Sequence, residues 1–320
     1  MKLFLAPMEG VVDSITRELL TSVGGIDQCV TEFIRVTDQL VPEKVFYREA
    51  PELKNGSQTK SGVPVFVQLL GGDPVCLAEN AAFAITLGAC GIDLNFGCPA
   101  KTVNRHDGGA TLLLYPERVQ KIVEAVRRAV PREIPVTAKI RLGFTDPSTC
   151  LANAEAAAAG GAEWLTVHCR TKMDLYKPPA YWEWIPRIRD KIKIPVVANG
   201  DIWSLEDLNR CREVTGCDQF MMGRGVFKDP FLFRRVRGAP APSDWISSRD
   251  LLRDFFKTNW RQVSPHFAQA RTKQWLRSLA DSGPEGRSLF DELKVITNPQ
   301  LFGIRLLGSI NELESALSPY

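Results

Sequence analysis

The 320-residue sequence has only three histidines, and its eight cysteines (29, 76, 90, 98, 150, 169, 211 and 217) include no CxxC pair. Zinc-ligand spacing is therefore missing, and no metal is expected. Cysteines spaced this way in a chain of this length read as free thiols in a reducing compartment, so the protein is expected to be cytoplasmic. A large excess of charge of one sign is missing too. The net charge of +3 is too small to announce a nucleic-acid partner, so any basic contact surface must be local. The N-terminal MKLFLAPMEG holds an apolar run too short for a signal peptide, and no later segment reads as long and apolar enough to span a bilayer. No GxGxxG follows the first apolar run, which argues against a doubly wound dinucleotide-binding sheet. Low-complexity tracts are missing as well.

What is present is alternation. Short β-rich runs at 3–6, 30–33, 65–69, 92–95, 136–140, 164–167, 196–199 and 219–222 alternate with longer segments, most of helical pattern, such as 116–130 and the Ala-rich 151–159. Eight strand–helix units in about 235 residues match an α/β fold of the (β/α)8 TIM-barrel type. Composition then changes at Arg237-Gly-Ala-Pro-Ala-Pro-Ser243, a linker-like stretch. Beyond it strand runs cease, and helices are expected at 248–260 (broken by Pro265), 269–280, 288–296 and 299–307. The expected organisation is a barrel domain at 1–238 and a small all-helical domain at 244–320, in a monomer.

In such barrels the C-terminal ends of the strands carry the site. Polar residues gather there: Glu9 after Ala6-Pro7-Met8, Gln68, Asn95 before Cys98, Lys139 and Arg141, His168, Asn199-Gly200-Asp201, and Gly223-Arg224-Gly225. Any one of them reads equally well as a cap or a solvated residue; the recurrence over most strand ends is what points to a site. The two glycine turns after strands seven and eight suit a phosphate, because glycine lets backbone N–H groups approach the anion and Arg224 adds charge. Lys139 in an apolar strand has three readings: a Schiff-base amine, a structural ion pair, or a cation beside a cofactor ring. Cys98, between Gly97 and Pro99, is either loop punctuation or a reacting thiol.

The motifs A-P-M-E-G-x-x-D at 6–13, N-x-G-C-P at 95–99, V-T-A-K-I-R-L-G at 136–143, H-C-R-T at 168–171, P-V-V-A-N-G-D-I at 195–202 and M-G-R-G at 222–225 occur in one order. Together they resemble the tRNA-dihydrouridine synthases, flavin-dependent reductases of uridine in tRNA. The resemblance spans about residues 3–233, and the helical tail suits the family's second domain. H-C-R-T and Tyr176 resemble the bacterial C-type branch, which modifies position 16 in the D-loop.

The resemblance implies an FMN-binding catalytic barrel, a tRNA-binding tail, NADPH (or NADH) as reductant, and Cys98 as the general acid that protonates uracil C5. An unperturbed thiol, with a pKa of about 8.5, is mostly protonated at neutral pH, which suits an acid. Pro7, Met8 and Glu9 are implied as the floor under the flavin ring, and Gln68 and Lys139 as partners of its polar edge. His168, Asn199, Gly200, Asp201, Gly223 and Arg224 would hold the ribityl and phosphate end. Asn95 would face the uracil, while Arg35 and Tyr176 are candidates for nucleotide discrimination. For RNA contact, Arg271, Lys273, Gln274 and Arg277 are the expected group, with Arg249, Arg253, Lys257 and Arg261 recurring every four residues as a second ridge. The competing functions are a flavin barrel that reduces a free pyrimidine or enone, a Schiff-base lyase using Lys139, and an RNA-binding protein without catalysis.

Overall fold

A computed structural model describes residues 1–317. Eight strands lie in it: β1 (Lys2–Leu5), β2 (Gln28–Arg35), β3 (Val65–Leu70), β4 (Ile92–Asn95), β5 (Val136–Arg141), β6 (Leu165–His168), β7 (Val196–Asn199) and β8 (Gln219–Met222). All neighbours are parallel, and β8 pairs back to β1, so the sheet is a closed barrel. Each strand lies within two residues of its expected bounds. They were legible because a parallel strand covered on both faces reads as a nearly continuous apolar run; β3, VFVQLL, is buried at every position.

The helices of the first half are α1 (Ser14–Val23), α2 (Glu43–Glu49), α3 (Pro74–Thr86), α4 (Lys101–Asn104), α5 (Pro116–Ala129), α6 (Cys150–Ala159), α7 (Trp184–Lys191) and α8 (Leu205–Thr215). In α5 the buried residues Val119, Ile122, Val123 and Val126 make the single apolar stripe that a surface helix turns inward.

Inside the barrel, the floor is apolar and aromatic. Phe4, Val30, Phe66, Val197 and Met221 cluster there with Trp164 against them, and the Trp164 ring lies 5.5 Å from Phe66 and 5.9 Å from Phe4. Above the floor the wall turns polar. Register pairs Gln68 with Asp93 and Asp93 with Thr137, then Asn95 with Lys139 and Lys139 with Thr166, then Arg141 with His168 and His168 with Asn199. Paired residues of parallel neighbours share a face, and the rows climb from strand to strand as barrel shear requires. The polar chemistry is thereby concentrated toward the C-terminal ends.

The chain divides into two compact units, one of residues 1–14 with 26–223, the other of residues 15–25 with 224–320. The boundary thus falls at Gly223/Arg224, upstream of the 237–243 linker stretch, and most of α1 joins the second unit. That unit contains α9 (Gly225–Lys228), α10 (Leu232–Val236), α11 (Trp245–Gln262), α12 (Pro265–Leu279), α13 (Pro284–Leu293), α14 (Pro299–Leu307) and α15 (Ile310–Leu317). Its core is Trp275, with ring centroids 5.0 Å from Phe255 and 5.6 Å from Phe227 and its indole N–H donating to the Phe227 carbonyl at 3.2 Å. These contacts explain why α9 belongs to the helical unit: the anchor of its tryptophan is residue 227. Arg237 Nε likewise donates to the Gly25 carbonyl at 2.7 Å, fastening the end of the 15–25 segment. Pro265 ends α11 by starting α12 at its first turn, with Ser264 Oγ accepting from the Phe267 N–H at 3.2 Å.

Candidate active site at the C-terminal ends of the strands

Lys139 is the central cation of the barrel wall. Its ammonium donates to Asn199 Oδ1 at 3.0 Å, and Asn199 Nδ2 in turn donates to the Met221 carbonyl at 2.8 Å, which fixes the amide's orientation. Burial and, after it, the neighbouring Arg141 cation pull the Lys139 pKa down to about 8, against a smaller upward pull from Asp93. A lysine poised there is charged at neutral pH yet poorly solvated, so an anionic partner gains more from it than from a surface lysine. The bond to Asn199 holds the ammonium in place as a cation for a bound group, while the lowered pKa fits a Schiff-base amine equally well.

The turns after β6 and β7 follow on from the strands that flank it, and Gly223 follows β8. His168 is buried at the end of β6, with its Nε2 3.5 Å from Arg170 Nη1 and its ring 6.1 Å from that of Tyr176. Gly200 and Asp201 both take positive φ, +126° and +52°, and fully buried Arg170 forms an ion pair with the Asp201 carboxylate. Trp182 Nε1 donates to the Gly200 carbonyl at 2.9 Å. Gly223 directly follows β8, where a Cβ would meet Met8 Sδ at 3.2 Å and the Ala6 Cβ at 3.3 Å, so the β1 loop with Pro7 and Met8 lies directly against it. Arg224 is half-buried and caps α9. Glu9 is exposed as a residue, but its carboxyl end is partly desolvated, and this, with the nearby Glu49, raises its pKa.

Cys98 sits on a braced loop. The Gly97 N–H donates to Asn95 Oδ1 at 2.9 Å, while Arg141 Nε donates to the Gly97 carbonyl at 2.8 Å. The Cys98 carbonyl accepts from Asn104 Nδ2 at 2.9 Å and from the Ala110 N–H at 3.1 Å. Gly109, at φ +61°, packs so closely that a Cβ would meet the Cys98 carbonyl oxygen at 2.9 Å and its Cβ at 3.1 Å. Burial pushes the thiol above its usual range, with Glu9 adding to the rise and a backbone N–H and Arg141 opposing it. The thiol is therefore held in its protonated form at neutral pH, the state a proton donor needs and a nucleophile does not.

The remaining expected residues divide. Arg35 is exposed at the end of β2. Tyr176 is 51% exposed, and its ring lies 5.2 Å from the Arg141 guanidinium carbon. In α12, Gln274 and Arg277 are exposed, whereas Arg271 is buried. Arg271 donates to Thr16 Oγ1 at 3.2 Å and to Gln274 Oε1, and lies 5.6 Å from the Phe255 ring. Lys273 donates to the carbonyls of Lys294 and Ile296 at 3.0 and 2.5 Å. Arg271 and Lys273 thus serve the helical unit's own packing in this structure.

Three side chains emerge that the sequence left unmarked in these roles. Asn104 ties the Cys98 carbonyl to α4, Arg141 ties the Cys98 loop to the loop after β6 through the Thr171 and Leu175 carbonyls at 2.9 and 2.8 Å, and Asp93 lies buried in the polar wall. A period-two reading of β4 backwards from Asn95 would have placed Asp93 on the inward face.

Residues 4–278 match the family model described as dihydrouridine synthase (Dus). The chain is 54% identical to the tRNA-dihydrouridine(16) synthase of Pseudomonas putida, over 92% of this chain and 93% of that protein. It is 47% identical to the protein of the same name from Haemophilus influenzae, over 96% and 99% of the two chains. Among solved structures it is similar to the old yellow enzyme homologue of Zymomonas mobilis, with a TM-score of 0.51 and 15% identity, covering 77% of this chain and 91% of that one. Histamine dehydrogenase from Rhizobium sp. 4-9 gives a TM-score of 0.56 at 15% identity, over 74% of this chain and 45% of that one. The structural likenesses establish the barrel. With the family model and these relatives, the chain belongs to the dihydrouridine synthase family.

Proposed function

We propose that this chain reduces uridine to 5,6-dihydrouridine in the D-loop of tRNA, at position 16, with FMN as cofactor and NADPH as its reductant. The observation that carries the reading is the Cys98 thiol, kept protonated by burial on a loop that Asn95, Arg141 and Asn104 brace at the end of β4. The relatives named for position 16 support the choice of nucleotide.

The residues fit FMN. Lys139 offers a cation suited to the polar edge of an anionic reduced ring, and Gln68 keeps one amide N–H beyond its bond to Asp93. Pro7 and Met8, with Glu9 after them, give the β1 loop that lies on Gly223, where a side chain would fill the space. His168, Asn199, Gly200, Asp201, Gly223 and Arg224 supply donors and close backbone for the ribityl and phosphate end. Bound and reduced, FMN supplies the hydride that uracil C6 receives. Cys98 donates its proton to C5, which completes the addition of two hydrogens and leaves a thiolate that a solvent proton neutralises. Asn95 orients the uracil, and Arg35 and Tyr176 discriminate the nucleotide. A uridine in the loosely stacked D-loop costs little to extrude toward such a site. Gln274 and Arg277, exposed on α12, are the RNA contacts of that helix. None of the eight cysteines forms a disulfide, which supports a cytoplasmic setting, and no helix among the described residues is long and apolar enough to cross a membrane.

The test is mass mapping of dihydrouridine in tRNA from cells that lack this protein. Loss of the modification at position 16, restored by the wild-type chain, is expected. An unchanged dihydrouridine content at that position would overturn the reading.

A further inference from the structure

A hydrogen-bonded relay runs along the polar wall and ends at the Cys98 loop. Thr137 Oγ1 donates to Asp93 Oδ1 at 2.5 Å, and Gln68 Nε2 donates to Asp93 Oδ2 at 2.7 Å. Asn95 Nδ2 donates to Gln68 Oε1 at 2.8 Å, and Asn95 Oδ1 accepts from the Gly97 N–H at 2.9 Å. Gln68 and Asp93 are 1% and 2% exposed, so water does not substitute for a lost partner.

The two ends of this relay differ from its middle. A side-chain amide turned by half a rotation exchanges donor for acceptor at almost no steric cost. A backbone N–H and a carboxylate oxygen cannot make that exchange. At one end the Gly97 N–H requires an oxygen from Asn95, which turns the Asn95 amino group toward Gln68. Gln68 must then present its oxygen to Asn95 and its amino group to Asp93, where an acceptor is waiting. Even a protonated Asp93 keeps Oδ2 as an acceptor, since its proton has Thr137 Oγ1 to go to. A donor or an apolar group at position 93 would leave the Gln68 amino group unsatisfied and let Gln68 turn its own amino group toward Asn95, so that Asn95 either faces a second donor or gives up the Gly97 N–H.

We propose that Asp93 is a positioning residue for uridine reduction: its buried carboxylate fixes the amide orientation of Gln68 and, through it, of Asn95 beside the Cys98 loop. Asp93 itself touches neither substrate nor cofactor in this scheme. It determines which edge of Asn95 carries the remaining donor and which the remaining acceptor, and it keeps the Gly97 peptide, next to the thiol, in one place.

The inference rests on the proposed uridine reduction, and the experiment separates the two. Single-turnover reduction of tRNA uridine is measured with FMN-loaded, chemically reduced enzyme for Asp93→Asn and Asp93→Val, each with Asn95 intact and with Asn95→Ala. Both Asp93 substitutions remove the negative charge near Lys139, but Asp93→Asn still offers an oxygen to Gln68. With Asn95 intact, Asp93→Val is expected to be slower than Asp93→Asn by about tenfold, with tRNA affinity unchanged. In the Asn95→Ala background the two should agree within about twofold, because the far end of the relay is already gone. Equal rates with Asn95 intact would overturn the proposal, and so would a tenfold gap that persists without Asn95, since a purely structural effect adds. If Asp93→Val does not retain FMN, Asp93→Ala removes the same acceptor with no added bulk. Its loss in rate must then be non-additive with Asn95→Ala, and additivity overturns the relay. A wild-type enzyme that leaves uridine unreduced would sink the functional reading instead.

Discussion

The barrel and the helical unit both carry rows of cations, and the two use them differently. In the barrel, Arg141 is spread over the carbonyls of Gly97, Thr171 and Leu175, and Arg170 joins the Lys177 carbonyl to the Asp201 carboxylate. Most of these partners come from loops that follow neighbouring strands, brought together by the parallel pairing of β4 to β7. In α12 the outcome for a cation depends on its angle about the helix axis. Arg271 lies about 40° from Trp275 in projection and so falls on the buried stripe, whereas Arg277 lies about 240° from Arg271. A basic residue in a barrel loop is thus read by what it ties together, and one on a helix by the face it occupies.

The largest effect should come from removing the group that the barrel cations only hold in place. Cys98→Ala is expected to lower the rate of uridine reduction by about 10²–10⁴-fold, the usual contribution of a positioned acid. FMN content and flavin reduction by NADPH should remain at wild-type levels. Stopped-flow traces of the two half-reactions measure this directly, and a near wild-type rate with tRNA would refute the assignment of the acid.

Lys139 separates function from stability within the barrel. Its desolvated charge suits an anionic ring and disfavours the empty fold, so Lys139→Met should weaken FMN binding by about tenfold or more. The same change should stabilise the FMN-free protein by about 1 kcal/mol. Because the ammonium titrates at about 8, FMN affinity of the wild type should hold below that pH and fall as pH rises through it. The charged form is the binding form, and it is the form lost on the alkaline side. Fluorescence titration of FMN across pH 6.5–9.5, a window chosen to span roughly one and a half units on each side of that value, should show a decline in the wild type and none in the variant.

How much of this was legible differs between the regions for the same reason. The eight strands stood out as buried β-rich runs, and their ends marked the polar wall. Asp93 did not stand out, because alternation back from Asn95 gives its direction but its partners Gln68 and Thr137 appear only with the register of the neighbouring strands. Residues 15–25 gave no sign of joining the second unit, since that membership depends on contacts such as Arg237 to Gly25, more than 200 residues apart. The status of Arg271 was available: Ala268, Thr272, Trp275, Leu276 and Leu279 form the buried stripe of α12 at helical spacing, and Arg271 lies within it. Grouping it with Lys273 and Arg277 by closeness in sequence ignored the turn of the helix.

Arg271→Ala tests that distinction. The substitution strips Thr16 and Gln274 of a partner and leaves a gap beside Phe255. It should cost about 2–3 kcal/mol of stability, read as a fall in the thermal or denaturant midpoint of the helical unit. Any loss of tRNA binding should follow the loss of folded protein. A variant as stable as the wild type but poor in tRNA binding would restore Arg271 to the RNA surface.

The smallest change is expected from Arg277, and it isolates the electrostatic part of tRNA binding. Its side chain is exposed, so Arg277→Ala should leave stability within about 0.5 kcal/mol of the wild type. A lysine or arginine that neutralises a phosphate releases a counterion on binding, so each such contact adds to the dependence of affinity on salt. Losing one contact should flatten the slope of log affinity against log salt by roughly one unit or slightly less. The effect should be uniform across tRNA sequences, because phosphate contacts position the RNA without reading bases. FMN content and NADPH oxidation should not change. An unaltered slope at several salt concentrations would mean that this face of α12 is solvated only, and the search for phosphate contacts would move to Arg249, Arg253, Lys257 and Arg261 on α11. There Arg253 is already tied to the Leu306 carbonyl at 2.9 Å, which makes exposed Arg261 the next residue to replace.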